Sequence, residues 1–151
     1  MNKYLRFGAM VATSTLVMFG LMYLNTYALE HATFSQTRAW MALLMGAAMA
    51  MVMLAFMQHM YQCKGLNLAI FAVSAVLFAT SLWLVRSQST VDDVSWMKAM
   101  VPHHSIAILT SERALLADPR VRQLANGIIE AQRKEIAQMQ ALIQELQAQE
   151  R

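Results

Sequence analysis

One cysteine in 151 residues, Cys63, leaves nothing for an intrachain disulfide to pair with. The C-x-x-C-H motif of covalent c-type haem is missing as well. There is no glycine-rich phosphate-binding loop, no nucleophile with a base beside it, and no open hydrolytic metal site. The chain therefore reads as a non-enzyme that carries neither haem nor nucleotide. Charge is scarce: 14% of residues are charged and 58% are hydrophobic, against about a quarter charged in an ordinary soluble domain. The net charge of +3 is spread over helix faces and gives no footing for nucleic acid.

The charge that exists is unevenly placed. No Asp, Glu, Lys or Arg falls within Phe7–Leu29, Ala39–Gln62 or Gly65–Val85. Each stretch reaches the roughly 20 residues needed to cross a ~30 Å hydrocarbon core. The expectation is an all-α membrane protein with a transmembrane region over 1–86, its helices at about 5–29, 39–60 and 66–85. From Arg86 onward the composition turns polar, and a second region over 87–151 carries helices at about 91–116 and 119–148. The first helix has a rival reading as a signal peptide: Lys3 and Arg6, an apolar run, then Thr26-Tyr27-Ala28 as a small-residue cleavage site. Lys3, Arg6 and Lys64 lie on one side of the three crossings and Arg38 and Arg86 on the other. That bias puts the amino terminus in the cytoplasm and the C-terminal region outside. In a bacterium this means the periplasmic face of the inner membrane. Cys63 then sits on the reducing side.

In the polar region, Thr90 and Asp92 are capping candidates ahead of an apolar-periodic run. Ala117-Asp118-Pro119 reads as a tight turn, with Asp118 capping and Pro119 at the first helical position. Beyond it Val121, Leu124, Ile128, Glu135, Met139, Leu142 and Leu146 fall on one narrow helix face. Two helices alone bury little surface, so this hairpin is expected to pair with a second one, most simply in a homodimer.

The stretch WMKAMVPHHSIAIL (96–109) carries the candidate chemistry. At 100° per residue, Met97, Met100 and His104 lie within about 60° of one another, with His103 about 60° further round. Pro102 interrupts the hydrogen-bond ladder there. The expected result is a local bend that frees a carbonyl and turns both imidazoles to a common centre. The partner helix offers Glu135 and Met139, the carboxylate as ligand, as a group behind the ligands, or as a salt-bridge partner. Thioethers with imidazoles select soft ions, Cu(I) or Ag(I). The plainer reading is that methionine at this spacing is core packing and that paired histidines at a bend are surface groups.

Three blocks of this region resemble the family called domain of unknown function 305, small ferritin-like helical proteins. They are M-x-x-M-x-x-H-H at Met97 to His104, A-x-x-I-I-x-A-Q at Ala125 to Gln132, and E-I-x-x-M at Glu135 to Met139. The resemblance implies an extracytoplasmic, ferritin-like half-bundle, and binding of copper or silver through such histidines and methionines. Many members have a methionine one turn after the histidines, where this chain has Ile108 and Leu109, and many carry the block twice. The single copy here again points to paired subunits. The implied partners are the lipid bilayer, a second copy, and a periplasmic metal donor or acceptor.

The second apolar stretch holds Met41, Met45, Met49, Met53 and Met57 at four-residue steps, plus Met51 and Met60. His59, Met60 and Cys63 lie near its inner end and His31 near its outer end. As a sulfur ladder this would suit Cu(I) passage, in a metal-transport subunit. As packing it would reflect methionine's flexibility, beside a close helix contact at Gly46, Ala47, Ala48 and Ala50. A further alternative is a non-catalytic anchor whose outer hairpin docks a partner protein.

Overall fold

The computed structural model describes residues 3–149 and is all-helical. Five α-helices follow in order: α1 (Lys3–Leu21), α2 (Gln36–Phe56), α3 (Lys64–Ser87), α4 (Asp93–Arg113) and α5 (Pro119–Gln149). Short 3-10 turns occupy Leu29–His31 and Gln58–Met60. The chain divides into two compact units. One holds residues up to Met22 and Thr37–Thr90; the other holds Tyr23–Gln36 and residues from Val91 on.

In the first unit, α1, α2 and α3 are each long and apolar enough to cross a membrane. Gly46, Ala47 and Ala50 are buried, and a Cβ added at Gly46 would collide with the Thr15 side chain of α1. The small residues thus let two helices approach at backbone distance. At one end Phe7, Ala50, Leu54 and Tyr61 form a core, with Tyr61 stacked 5.1 Å from Tyr4 and 5.5 Å from Phe7 between ring centroids. Tyr4 donates its hydroxyl to Asn67 Oδ1 (2.8 Å), and Asn67 Nδ2 donates to the Tyr61 carbonyl (2.7 Å). The methionines of α2 flank the small-residue face: Met45, Met49 and Met53 are half-buried and Met41 is exposed.

The first helix ends at Leu21, not near residue 29. Arg38 explains the stop: its Nη1 donates to the Met22 carbonyl at 2.6 Å, a cation on an orphan carbonyl at a helix C-terminus. The second helix ends at Phe56, so His59 and Met60 lie in a turn and Cys63 in the following linker, all three exposed. The helix α2 does not extend to those three.

The second unit is a hairpin of α4 and α5 with residues 23–36 laid on it. Asp92 caps α4 by accepting the Ser95 amide (2.7 Å), and that bond holds its carboxyl below the usual range. Asp118 accepts the Arg120 amide (2.8 Å) at the start of α5. The core is Met97, Val101, Ile108, Ile136, Met139 and Ile143, with Val94, Met100, Ile129 and Leu146 packed against it. This corrects the face expected for α5. Met139 and Leu146 do turn inward, but Val121, Leu124, Ile128, Glu135 and Leu142 form an exposed neighbouring row. Both rows are apolar at helical spacing, and α4 takes the one containing Ala125, Ile136 and Ile143.

Pro102 lies inside α4 and is buried. It has no amide hydrogen to give the carbonyl four residues back, that of Lys98. Thr33 supplies the missing donor, its hydroxyl 2.6 Å from the Lys98 oxygen. Nearby, the Tyr27 amide donates to Ser105 Oγ (2.7 Å), and His31 Nδ1 lies 2.9 Å from the same hydroxyl. Arg133 reaches both the Tyr27 ring, 6.0 Å from its centroid, and Glu112 (3.8 Å).

Two outcomes are expected. Gly46→Val should lower the thermal midpoint of the purified chain, at a cost of about 1–3 kcal/mol, and Thr15→Ala in the same chain should return part of it. An unchanged midpoint would mean α1 and α2 do not pack at Gly46. Thr33→Val should cost about 1 kcal/mol and speed hydrogen exchange across Tyr27–His31, leaving α3 unaffected.

Candidate soft-metal site

Beside the core methionines, α4 and α5 line an open recess of about 350 Å³. Trp96, Met97 and His104 line it from α4, and Glu135, Gln138, Met139 and Leu142 from α5. Four of the six residues expected at the main site are therefore brought together: Met97, His104, Glu135 and Met139. Met100 is not in the lining and packs against the hairpin core. His103 is exposed, its ring centroid 6.1 Å from that of His104 and tilted by 59°. The helix α4 runs continuously through Pro102, and of the two imidazoles His104 is the one in the lining.

His104 Nδ1 is 3.0 Å from Glu135 Oε2, yet it is buried without a hydrogen bond. The pair is close but not aligned, so its attraction is coulombic. Burial holds the imidazole below its ordinary pKa; Glu135 pulls it upward by less, and His103 adds a smaller downward push. Neutral imidazole is the form that can give a lone pair to a metal.

The donor set has a definite chemistry. Among the described residues no three His, Cys, Asp or Glu side chains come together. A metal held here would take one imidazole and one carboxylate together with the thioethers of Met97 and Met139, a set that would fit a soft cation better than zinc or a di-iron pair. His31 stands apart from this lining, against Ser105. Ser105 itself, fully buried and bonded to residues 27 and 31, had no signal in the sequence beyond its place beside the histidines.

The depressed His104 pKa has a sign. The unfolded chain takes up the extra proton, so the stabilisation is complete above about pH 6.5 and is lost as the pH falls below it. The metal-free chain should show a lower urea midpoint for its α4–α5 unit at pH 5 than at pH 7.5, and His104→Gln should flatten that slope. Equal or greater stability at pH 5 would mean the attraction to Glu135 outweighs burial.

Residues 83–151 match the family described as domain of unknown function (DUF305). That span contains Met97, Met100, His103, His104, Glu135 and Met139. The chain is also 31% identical over 109 residues to an uncharacterized protein of Acanthamoeba polyphaga mimivirus, covering 70% of this chain and 69% of the relative. No solved structure matches it. Family match and relative together place it: the chain belongs to the DUF305 family.

Proposed function

We propose that the protein is a membrane-anchored, non-enzymatic binder of Cu(I) or Ag(I), which buffers the ion or hands it on at the outer face of a bacterial inner membrane. The observation that carries this reading is the buried, unbonded Nδ1 of His104 in a recess shared with two thioethers and a carboxylate. A neutral imidazole and methionine sulfurs are ligands for a soft monovalent cation. Glu135 would offset the ion's charge, as a ligand or from behind His104.

In this reading α1–α3 lie in the bilayer with the amino terminus in the cytoplasm, and the second unit is a ferritin-like half-bundle in the periplasm, open to a metal donor or acceptor. The apolar length of the three helices supports the embedding, and the basic residues near their ends support the orientation. The methionines of α2 are read as packing, since they flank the close contact at Gly46. Transport along them and a pure docking role remain the alternatives.

The test is anaerobic Cu(I) competition against a chromophoric chelator, with the full chain in nanodiscs. His104→Ala should weaken binding by roughly 10-fold or more. Met97→Leu and Met139→Leu should each weaken it, and His103→Ala should leave it near the unaltered value. Unchanged affinity in a folded His104→Ala chain would end this reading and favour the anchor-and-docking alternative.

A further inference from the structure

The exposed row on α5 is too apolar for a face meant for water. Leu124 is 65% exposed, Val121 46%, Leu142 40% and Ile128 36%. At 100° per residue these four and Glu135 fall within about 60° of one another, repeating every seven residues. Ala131, Gln138 and Glu145 continue the same band. Its two halves differ in shape. The N-terminal half forms a shallow groove lined by Leu124, Gly127, Ile128 and Ala131. The C-terminal half, from Glu135 to Leu142, is one wall of the recess that holds His104.

We infer that two copies of this chain pair through α5 running antiparallel, so that the groove half of each helix closes the recess of the other. A twofold axis crossing α5 at right angles near residue 133 sets Leu124 opposite Leu142 of the partner subunit, Ile128 opposite the partner's Gln138 and Ala131 opposite the partner's Glu135. Leucine meets leucine, and the one carboxylate in the middle of the band meets the smallest side chain.

Charge selects this direction. Arg120, exposed and ion-paired with Asp118, lies at the N-terminal end of the band and Glu145 at its C-terminal end. Antiparallel pairing sets Arg120 beside Glu145 of the partner subunit. Parallel pairing would stack Glu135 on the partner's Glu135 and Glu145 on the partner's Glu145 at facing positions, where like charges cost free energy. The helix dipoles also oppose only in the antiparallel arrangement. A second copy fits better than a lipid surface, because the band carries two carboxylates at its recess end.

The pairing makes the site whole. One copy leaves the recess open to water along the wall built from Glu135, Gln138 and Leu142. The partner's Leu124 and Ile128 cover that wall, so a cation held by His104 and Glu135 would sit in a drier place, where electrostatic attraction is stronger. The pairing itself goes beyond the soft-metal reading and does not need it.

The experiment is site-directed cross-linking of the full chain in membranes, in a Cys63→Ser background, with dibromobimane as the short thiol reagent. Leu124→Cys and Leu142→Cys chains are made singly, and also co-expressed with different tags. Across the proposed axis, positions 124 and 142 meet, whereas 124 and its own copy stand about 27 Å apart along the helices, at 1.5 Å per residue. Dimers carrying both tags should form in the co-expressed sample and be at least 10-fold scarcer in either single variant. Adding Leu124→Glu to a Val121→Cys and Glu145→Cys pair should abolish their cross-link while the circular dichroism stays that of the folded chain. Single variants that cross-link as well as the mixture would overturn the inference in favour of parallel pairing. Absence of cross-links in every combination would overturn it outright. Neither result bears on the Cu(I) titration, and failure of that titration would leave the pairing standing.

Discussion

A single missing amide hydrogen organises the second unit. Pro102 cannot donate to the Lys98 carbonyl, and an unsatisfied carbonyl beside a buried proline costs free energy comparable to a lost hydrogen bond. The chain answers with the Thr33 hydroxyl, delivered from a segment 65 residues earlier. Once that segment lies on α4, the Tyr27 amide and the His31 ring reach the Ser105 hydroxyl one turn on. Arg133 then bridges the segment to the Glu112 end of α4. A residue that ordinarily breaks helices serves here as a socket, and α4 stays one helix because its defect is filled from outside.

The recess depends on the same helix pair but on a different balance. Met97 and Met139 sit at the edge of the core, where Val101, Ile108 and Ile136 exclude water on one side. His104 and Glu135 are held 3.0 Å apart without an aligned bond, so neither group is fully satisfied by the other. A buried ring nitrogen without an aligned partner carries a desolvation cost. A carboxylate half open to water beside a mostly enclosed imidazole leaves the pair net negative when the ring is neutral. That favours a cation over any neutral occupant.

Much of this was legible in the sequence. Charge-free runs of membrane length announced three apolar helices, and Asp118-Pro119 announced the hairpin turn. Asp92 was a visible cap. Other features depended on contacts between residues far apart in the chain. The stop of α1 depends on Arg38, 16 residues later, so the unbroken apolar run past Leu21 concealed it. The buried face of α5 could not be chosen because two neighbouring rows both carry apolar residues at helical spacing. The donor that replaces the bond lost to Pro102 comes from Thr33, 65 residues before Lys98, and α4 continues through the proline with His104 lining the recess and His103 exposed.

The segment over residues 23–36 belongs to the second unit although it lies between the first two apolar helices. During synthesis at about 5–20 residues per second, Tyr27 emerges 78 residues ahead of the serine that will bind it. For several seconds its bonding groups lack the partner they will have in the folded chain, while α2 and α3 are still being made. A polypeptide cut to begin at Val91 would be a different object from the second unit. It would keep both long helices and lose the strap that fills the notch in one of them.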